Sequence, residues 1–433
     1  MGDLKKADAG VGGKADRGFV RAQWRFIVCS MIAYAFFYVT RKNMAMAQPK
    51  MLEEGVISTY AIGTIITVHG VLYGFSRFAN GFWADRLNGR VFMTIGLALS
   101  ALMNFLFGCT SLTVLFAVFW RLNGWTQGMG FPPCAKMLTH WIHPKELATK
   151  MSIWNTSHSW GAFGALGLCT FLFWLGFGWR WCFYVPAALA GLAAVFCFFC
   201  VKDSPTEAGV PELEIEGAEN AKPSSQIATS DRLRLVFGNK VIWCVALANF
   251  FVYIVRLGFL DWGPTLLYQY KGVSVEKGGL MTIAFEVAAI GGTIFAGWFT
   301  DKVFKGRGVR TCVICMLFAA LFSFGFWYLP AGASSVWATL LLMGVGFCIY
   351  GPQALVGITA ANQATKEAAA MANGFTGIMG YLSPLVSGIG IAFMKEHFGW
   401  GVTIGAIAGF AIVGMTLFLF AWNASATGYR ARG

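Results

Sequence analysis

Apolar residues run in long unbroken stretches along this chain, and polar residues gather between them. A helix needs about 20 largely apolar residues to cross a bilayer. Twelve stretches reach that length: 24–46, 61–84, 91–110, 113–137, 148–176, 180–201, 240–268, 279–300, 309–329, 334–361, 367–394 and 399–422. Several exceed the minimum, so tilted or kinked helices are expected. The first stretch follows a polar, basic leader that lacks a small-residue cleavage site, and it reads as an uncleaved first helix. The longest polar stretch, 202–239, carries Glu207, Glu212, Glu214, Glu216, Glu219 and Pro223 and cannot bury a core. It divides the spans six and six. The expected organisation is a cytoplasmic segment 1–23, a six-helix bundle 24–201, a flexible linker 202–239, a second bundle 240–422 and a tail 423–433.

Composition agrees with an all-α membrane protein. Of 433 residues 57% are hydrophobic and 12% charged, against roughly 25% charged in a soluble domain. The net charge of +13 would fit nucleic acid if it formed one patch, but the basic residues sit in short loops. One set of alternate loops, with both termini and the linker, holds 23 Lys and Arg, and the other set holds 5. The positive-inside rule then places both termini and the linker in the cytoplasm, and no nucleic-acid partner is expected. Cys197 and Cys200, and Cys312 and Cys315, form C-x-x-C spacings inside apolar runs. No His or acid neighbours them, so they read as packed small residues rather than metal or redox groups. No metal and no cofactor is expected. No P-loop, zinc-ligand spacing or nucleophilic triad appears, and Gly128 and Gly130 lie mid-helix rather than after a strand, so no enzyme is indicated.

The two halves repeat each other. Gly81-Phe-Trp-Ala-Asp85-Arg86, with Gly89-Arg90 beyond, closes the second span, and Gly297-Trp-Phe-Thr-Asp301-Lys302 closes the eighth at an offset of 216. Arg41 and Arg256 are 215 apart, and Asn155 and Asn373 are 218 apart. A parallel six-helix repeat with a site between the halves is the major facilitator architecture: twelve helices in two pseudo-symmetric bundles. The repeated Gly-x-x-x-Asp-Arg/Lys loop resembles that superfamily's signature. Gly81, Asp85, Arg86, Arg90, Asp301 and Lys302 are then the expected cytoplasmic gate, a charged latch that pairs or caps helix ends. The plainer alternative is a basic loop that only sets topology.

Five cations lie inside the spans rather than at their ends: Arg41, Lys42, Arg77, Arg121 and Arg256. Mid-membrane Arg costs about 2.5–3.5 kcal/mol on insertion scales, so each demands a role. Arg41 and Arg256 occupy equivalent depths in the first and seventh spans, and pseudo-two-fold symmetry sets them across one cavity. Two guanidinium forks match the oxygens of a phosphate dianion. The alternative is a buried carboxylate partner, with Asp261 or Glu286 available to Arg256. Tyr34, Tyr38 and Arg41 share a helix face, Tyr253 and Arg256 repeat that relation, and Tyr73 and Arg77 lie four apart. Tyr350 and Tyr381 fall in the tenth and eleventh spans. His158, in Trp154-Asn155-Thr-Ser-His158, would be a third, switchable donor, charged once a dianion enters.

The runs Tyr38-Val-Thr-Arg41-Lys42-Asn43, Gly128-Met-Gly-Phe-Pro132-Pro133-Cys134, Asp261-Trp-Gly-Pro264, Tyr350-Gly-Pro352 and Gly374-Phe-Thr-Gly-Ile-Met-Gly-Tyr381 resemble the organophosphate:inorganic phosphate antiporter family, as does the His158 run. The likeness spans about residues 24–422. That family exchanges organic phosphate esters for inorganic phosphate across the bacterial inner membrane. Its phosphate-binding residues imply those roles for Arg41, Arg256 and His158. The resemblance also implies a cavity lined by Tyr34, Tyr38, Lys42, Tyr73, Arg77, Asn155, Tyr253, Glu286, Tyr350 and Tyr381. Arg77 stands where glycerol-phosphate transporters have Lys. The uncharged stretch after Tyr381, with Pro384, departs from hexose-phosphate members and favours glycerol 3-phosphate, with hexose 6-phosphate next. A monomer working by alternating access is expected. The same family also contains a hexose-phosphate sensor, so signalling to a partner kinase is the alternative.

Overall fold

The computed structural model describes residues 4–84, 86–143, 150–151, 153–211, 229–330, 332–364 and 368–426, and among them the regular elements are all helical. α1 runs Leu4–Glu53, α2 Thr59–Ala84, α3 Gly89–Cys109, α4 Thr113–Gln127, α5 Phe131–Trp141, α6 Ser157–Trp174 and α7 Trp181–Cys200. A 3-10 turn at Thr206–Ala208 follows, then α8 Thr229–Phe237, α9 Lys240–Lys271, α10 Val275–Lys302, α11 Gly308–Tyr328, α12 Ser335–Gln363 and α13 Ala369–Leu382. A π-helical turn, Leu385–Gly390, leads into α14, Ile391–Phe420.

Among the described residues, eight helical stretches are long and apolar enough to cross a membrane, one of them spanning Met371–Phe420. The twelve expected spans map onto these elements. α4 and α5 make the fourth span, interrupted at 128–130. Gly399, at φ 75°, separates the eleventh span from the twelfth inside α14. The chain is a multi-pass helical membrane protein.

Local chemistry sets the boundaries. Asn88 and Asn239 cap α3 and α9, their side-chain oxygens accepting from the amides of Val91 at 3.2 Å and Val241 at 3.0 Å. Gly272, at φ 66°, ends α9 in the left-handed conformation that glycine adopts at least cost. α1 starts at Leu4, well before its apolar run; the leader holds no Pro to break it, although Gly10, Gly12, Gly13 and Gly18 lower its helix propensity. Both ends of the polar stretch 202–239 carry structure. Asp203 accepts from the Gly89 amide at 2.7 Å, Glu207 accepts from Asn88 Nδ2 at 2.9 Å, and α8 lies just before α9. Its middle, residues 212–228, lies outside the described residues.

Two close approaches hold each half together. A Cβ on Gly161 would meet the Ala35 carbonyl oxygen at 2.2 Å, and one on Gly292 would meet that of Phe347 at 1.8 Å. α6 therefore packs on α1, and α10 on α12, backbone to backbone.

Between the halves, α1 packs on α9, α6 on α10, and α2 on the π turn and α13. The hydrogen bonds and tightest packing across this seam lie towards the end that carries the α1–α2 and α9–α10 turns. Thr265 Oγ1 donates to Gln48 Oε1 at 3.3 Å, Lys395 Nζ donates to Thr59 Oγ1 at 3.0 Å, and Tyr60 Oη lies 3.0 Å from His397 Nδ1. A Cβ on Gly63 would strike Ala392 Cβ at 2.5 Å. At the opposite end, Gly81, Gly297, Gly374 and Gly377 have nothing within 4 Å of a built Cβ. Beyond Arg77 and Tyr381 no hydrogen bond joins the halves at that end among the described residues, so they are closed at the first end and splayed at the other.

Candidate functional site

Beneath the closed seam, α1 and α9 bring their arginines into one aromatic chamber. Arg41 stacks over the Tyr73 ring at 4.0 Å and the Tyr38 ring at 5.5 Å. Arg256, 6% exposed, lies over Tyr350 at 4.5 Å and Tyr253 at 5.8 Å. The two cations, one from each half, are linked through a chain of rings, Arg41 on Tyr73, Tyr73 against Tyr381, Tyr381 against Tyr253 and Arg256 on Tyr253.

Other rings complete the wall. Tyr34 packs on Trp154 at 4.8 Å and on Tyr38 at 5.8 Å, and Tyr38 meets the His158 ring at 5.6 Å. Tyr381, from the other half, stands edge-on to Tyr73 at 5.3 Å and to Tyr253 at 6.1 Å. Arg77 lies over Phe131 at 3.8 Å and donates to the Tyr381 hydroxyl, so it bridges α2 and α13. Asn155 is exposed at the start of this region, and its carbonyl bonds His158 Nδ1. A carbonyl only accepts, so Nδ1 carries a proton. Neutral His158 then presents Nε2 as an acceptor, and it becomes a donor there only when charged.

The acids do not take up the alternative of pairing with Arg256. Neither Asp261 nor Glu286 forms an ion pair with Arg256. Asp261 bonds Lys42 across the seam, and Glu286, 1% exposed, accepts from the Tyr350 hydroxyl. The reason is geometric: Asp261 lies about a turn and a half beyond Arg256 on α9, close to the closed end, where α1 presents Lys42. Lys42 is therefore a seam residue here rather than an open cavity cation. Among the described residues, no carboxylate lies within 4 Å of the Arg41 or Arg256 nitrogens, and Arg256 Nε and Glu286 Oε2 are buried without a hydrogen-bond partner. Two guanidiniums without a carboxylate partner among the described residues, that of Arg256 with a buried unpartnered donor, form an anion receptor by their chemistry. No cluster of three His, Cys, Asp or Glu side chains suited to a metal occurs among the described residues.

The expected gate residues sit at the splayed end. Arg86 stacks on Phe82 at 3.7 Å, and Arg90 lies 3.8 Å from Glu207. Asp301 and Lys302 are exposed without an ion pair among the described residues, and Asp85 lies outside the described residues.

Sequence reasoning missed two features. One is Thr67, whose hydroxyl reaches the π turn. The other is a set of buried amides beneath Arg41 on α3 and α4. Both are polar residues inside apolar runs, the signal that would have found them.

Comparison with known proteins agrees with this architecture. The Major Facilitator Superfamily family model matches residues 30–388. The chain is similar to the glycerol-3-phosphate transporter of Bacillus subtilis, 35% identical over 96% of each chain. It is similar to a probable hexose phosphate transport protein of Chlamydia pneumoniae, 35% identical over 94% of this chain and 93% of that one. It is also similar to the membrane sensor protein UhpC of Salmonella typhimurium, 34% identical over 95% of each. Among solved structures, the fold matches a bacterial homolog of the human lysosomal transporter Spinster, with a TM-score of 0.79, 14% identity, and coverage of 93% of this chain and 97% of that one.

Proposed function

We propose that this chain, which belongs to the Major Facilitator Superfamily and within it to the organophosphate:inorganic phosphate antiporter family, exchanges a small phosphate ester for inorganic phosphate by alternating access. The observation that carries the reading is the pair Arg41 and Arg256, one from each half, facing one aromatic chamber with no carboxylate partner. The phosphoryl group would lie between the two forks beside Tyr38, with His158 as the switchable third contact. Arg77, Asn155 and the surrounding tyrosines would shape the space for the organic part. The uncharged residues after Tyr381 favour glycerol 3-phosphate over hexose 6-phosphate. No bond of the ester is made or broken.

Both termini would be cytoplasmic in a bacterial inner membrane, so the splayed end of this conformation faces the cytoplasm. The bundles 24–201 and 240–422 would rock about the site as a monomer. Sealing two unpaired guanidiniums in a dry cavity costs several kcal/mol each. A dianion removes that cost and lowers the barrier to reorientation, so the loaded carrier turns over and the empty one does not. Obligate exchange follows.

The test is proteoliposomes of the pure protein loaded with phosphate. Labelled phosphate should exchange, with external glycerol 3-phosphate competing better than glucose 6-phosphate. Uptake that ignores internal phosphate would refute exchange. The UhpC relative supports a second reading, a sensor of external sugar phosphate that signals to a partner kinase. Binding without flux in the same liposomes would select it.

A further inference from the structure

We propose that Asn104, Asn123 and Gln127 are positioning residues for Arg41, acting through the backbone of Thr40. The inference rests on the anion-site reading and deepens it. Asn104 Nδ2 and Asn123 Nδ2, from α3 and α4, each donate to the Thr40 carbonyl at 3.0 Å. Gln127 Nε2 donates to Thr40 Oγ1 at 3.1 Å, and that hydroxyl in turn donates back into α1, to Phe36 and Phe37 oxygens, each at 3.1 Å. Asn43 Nδ2 donates to Asn104 Oδ1 at 2.8 Å, which orients the Asn104 amide so that its nitrogen points at Thr40. Ser100 and Thr126 join the set through a 2.8 Å hydroxyl pair, with Gln127 3.3 Å from Ser100. Thr40, Asn43, Asn104 and Asn123 are fully buried. Three side-chain donors, from Asn104, Asn123 and Gln127, therefore end on the residue just before Arg41, while Asn104 Nδ2 and Asn43 Nδ2 also reach the Ser100 and Cys182 carbonyls at 3.0 and 2.8 Å.

The other half shows that the fold does not require this cradle. On α1 and α9, at the offset of 215 that relates Arg41 to Arg256, Thr40 corresponds to Val255 and Asn43 to Gly258. Val255 is a fully buried apolar side chain, and among the described residues no side chain donates to its carbonyl. The equivalent turn of α9 is thus held with hydrocarbon. Burying amides is costly unless each finds a partner, and the polar solution occurs only under one of the two arginines. Arg256 is held instead by the Tyr350 ring that Glu286 braces. Arg41 is the fixed anchor of the phosphate, and Arg256 is the side that adjusts to the rest of the substrate.

The test is equilibrium binding of labelled inorganic phosphate to the purified full chain in a double-mutant cycle. Asn123→Leu and Asn104→Leu should each weaken binding about fivefold, the worth of one buried hydrogen bond. Thr300→Val, which deletes a buried hydroxyl pair in the other half, should leave binding unchanged. In an Arg256→Lys background, Asn123→Leu should keep its full factor. In an Arg41→Lys background its effect should vanish, because the fork it positions is gone. Equal factors in both backgrounds would overturn the proposal. Hydrogen exchange supplies a readout independent of affinity: Asn123→Leu should speed exchange in residues 36–46 and not in 251–261. Uniform speeding, or none, would also overturn it. Wild-type protein that binds no phosphate would defeat the anion-site reading, while the exchange pattern would still judge the cradle.

Discussion

Lys42 of α1 bonds Asp261 of α9 across the seam between the halves, with side chains 5% and 16% exposed. Charges this close to the protein interior hold each other in place, and removing one leaves the other unpaired at a cost of about 3 kcal/mol. Asp261→Asn should therefore loosen the closed end. A cysteine at Gln48, which is buried at the same seam, reports this directly. It should react with an impermeant thiol reagent applied outside in the Asp261→Asn variant and stay protected with the pair intact. The exchanged pair, Lys42→Asp with Asp261→Lys, should restore protection in part. A seam equally protected in all three would mean that the pair holds nothing.

Arg41→Lys and Arg256→Lys retain charge but lose the planar fork. A bonded phosphate oxygen is worth about 1.5–3 kcal/mol per hydrogen bond to a charged group. Exchange should fall by about two orders of magnitude in either variant, measured as initial rates in proteoliposomes at matched protein. Wild-type rates in Arg41→Lys would contradict the site.

Much of the fold was legible because a membrane leaves few options. Apolar length names the spans, and the repeat of Gly81 and Asp85 by Gly297 and Asp301 names the architecture. Arg41 and Arg256 stood out because charge is rare at that depth, and their shared offset put them opposite each other. Partner choice was not legible. Asp261 and Glu286 both looked available to Arg256, but which residues meet depends on the height at which α1 crosses α9, and a linear pattern does not carry that height. The bend at Pro384 was readable from the proline alone. Its conversion into a π turn held by Thr67, a residue of the other half, was not.

Thr67 inserts its hydroxyl into that turn. It donates to the Pro384 carbonyl at 2.8 Å and accepts from the Ile389 amide at 2.8 Å, groups five residues apart. These two groups would pair directly in an undisturbed π-helical turn. Thr67→Val keeps the shape, removes both bonds between the halves and lets the turn close on itself. The closed end should weaken by about 1–2 kcal/mol. The Gln48 cysteine should become labelled in Thr67→Val and remain protected in Thr67→Ser, which keeps the hydroxyl. Equal labelling of the two would assign the contact to packing alone.

Gly81 and Gly297 test the gate itself, because their surroundings are open in this conformation. A glycine that the present packing does not need is explained if a neighbour approaches it when the splayed end closes. Gly81→Leu should then fold normally and bind phosphate with unchanged affinity, since the site lies deeper. It should nevertheless fail to exchange, because the side chain blocks closure of that end. Protection of the Gln48 cysteine from external reagent should rise at the same time, as the protein is held with its outer end shut. Gly297→Leu should behave alike if the repeat is functional rather than only topological. Normal exchange by both variants would return the motif to a basic loop that sets orientation and nothing more.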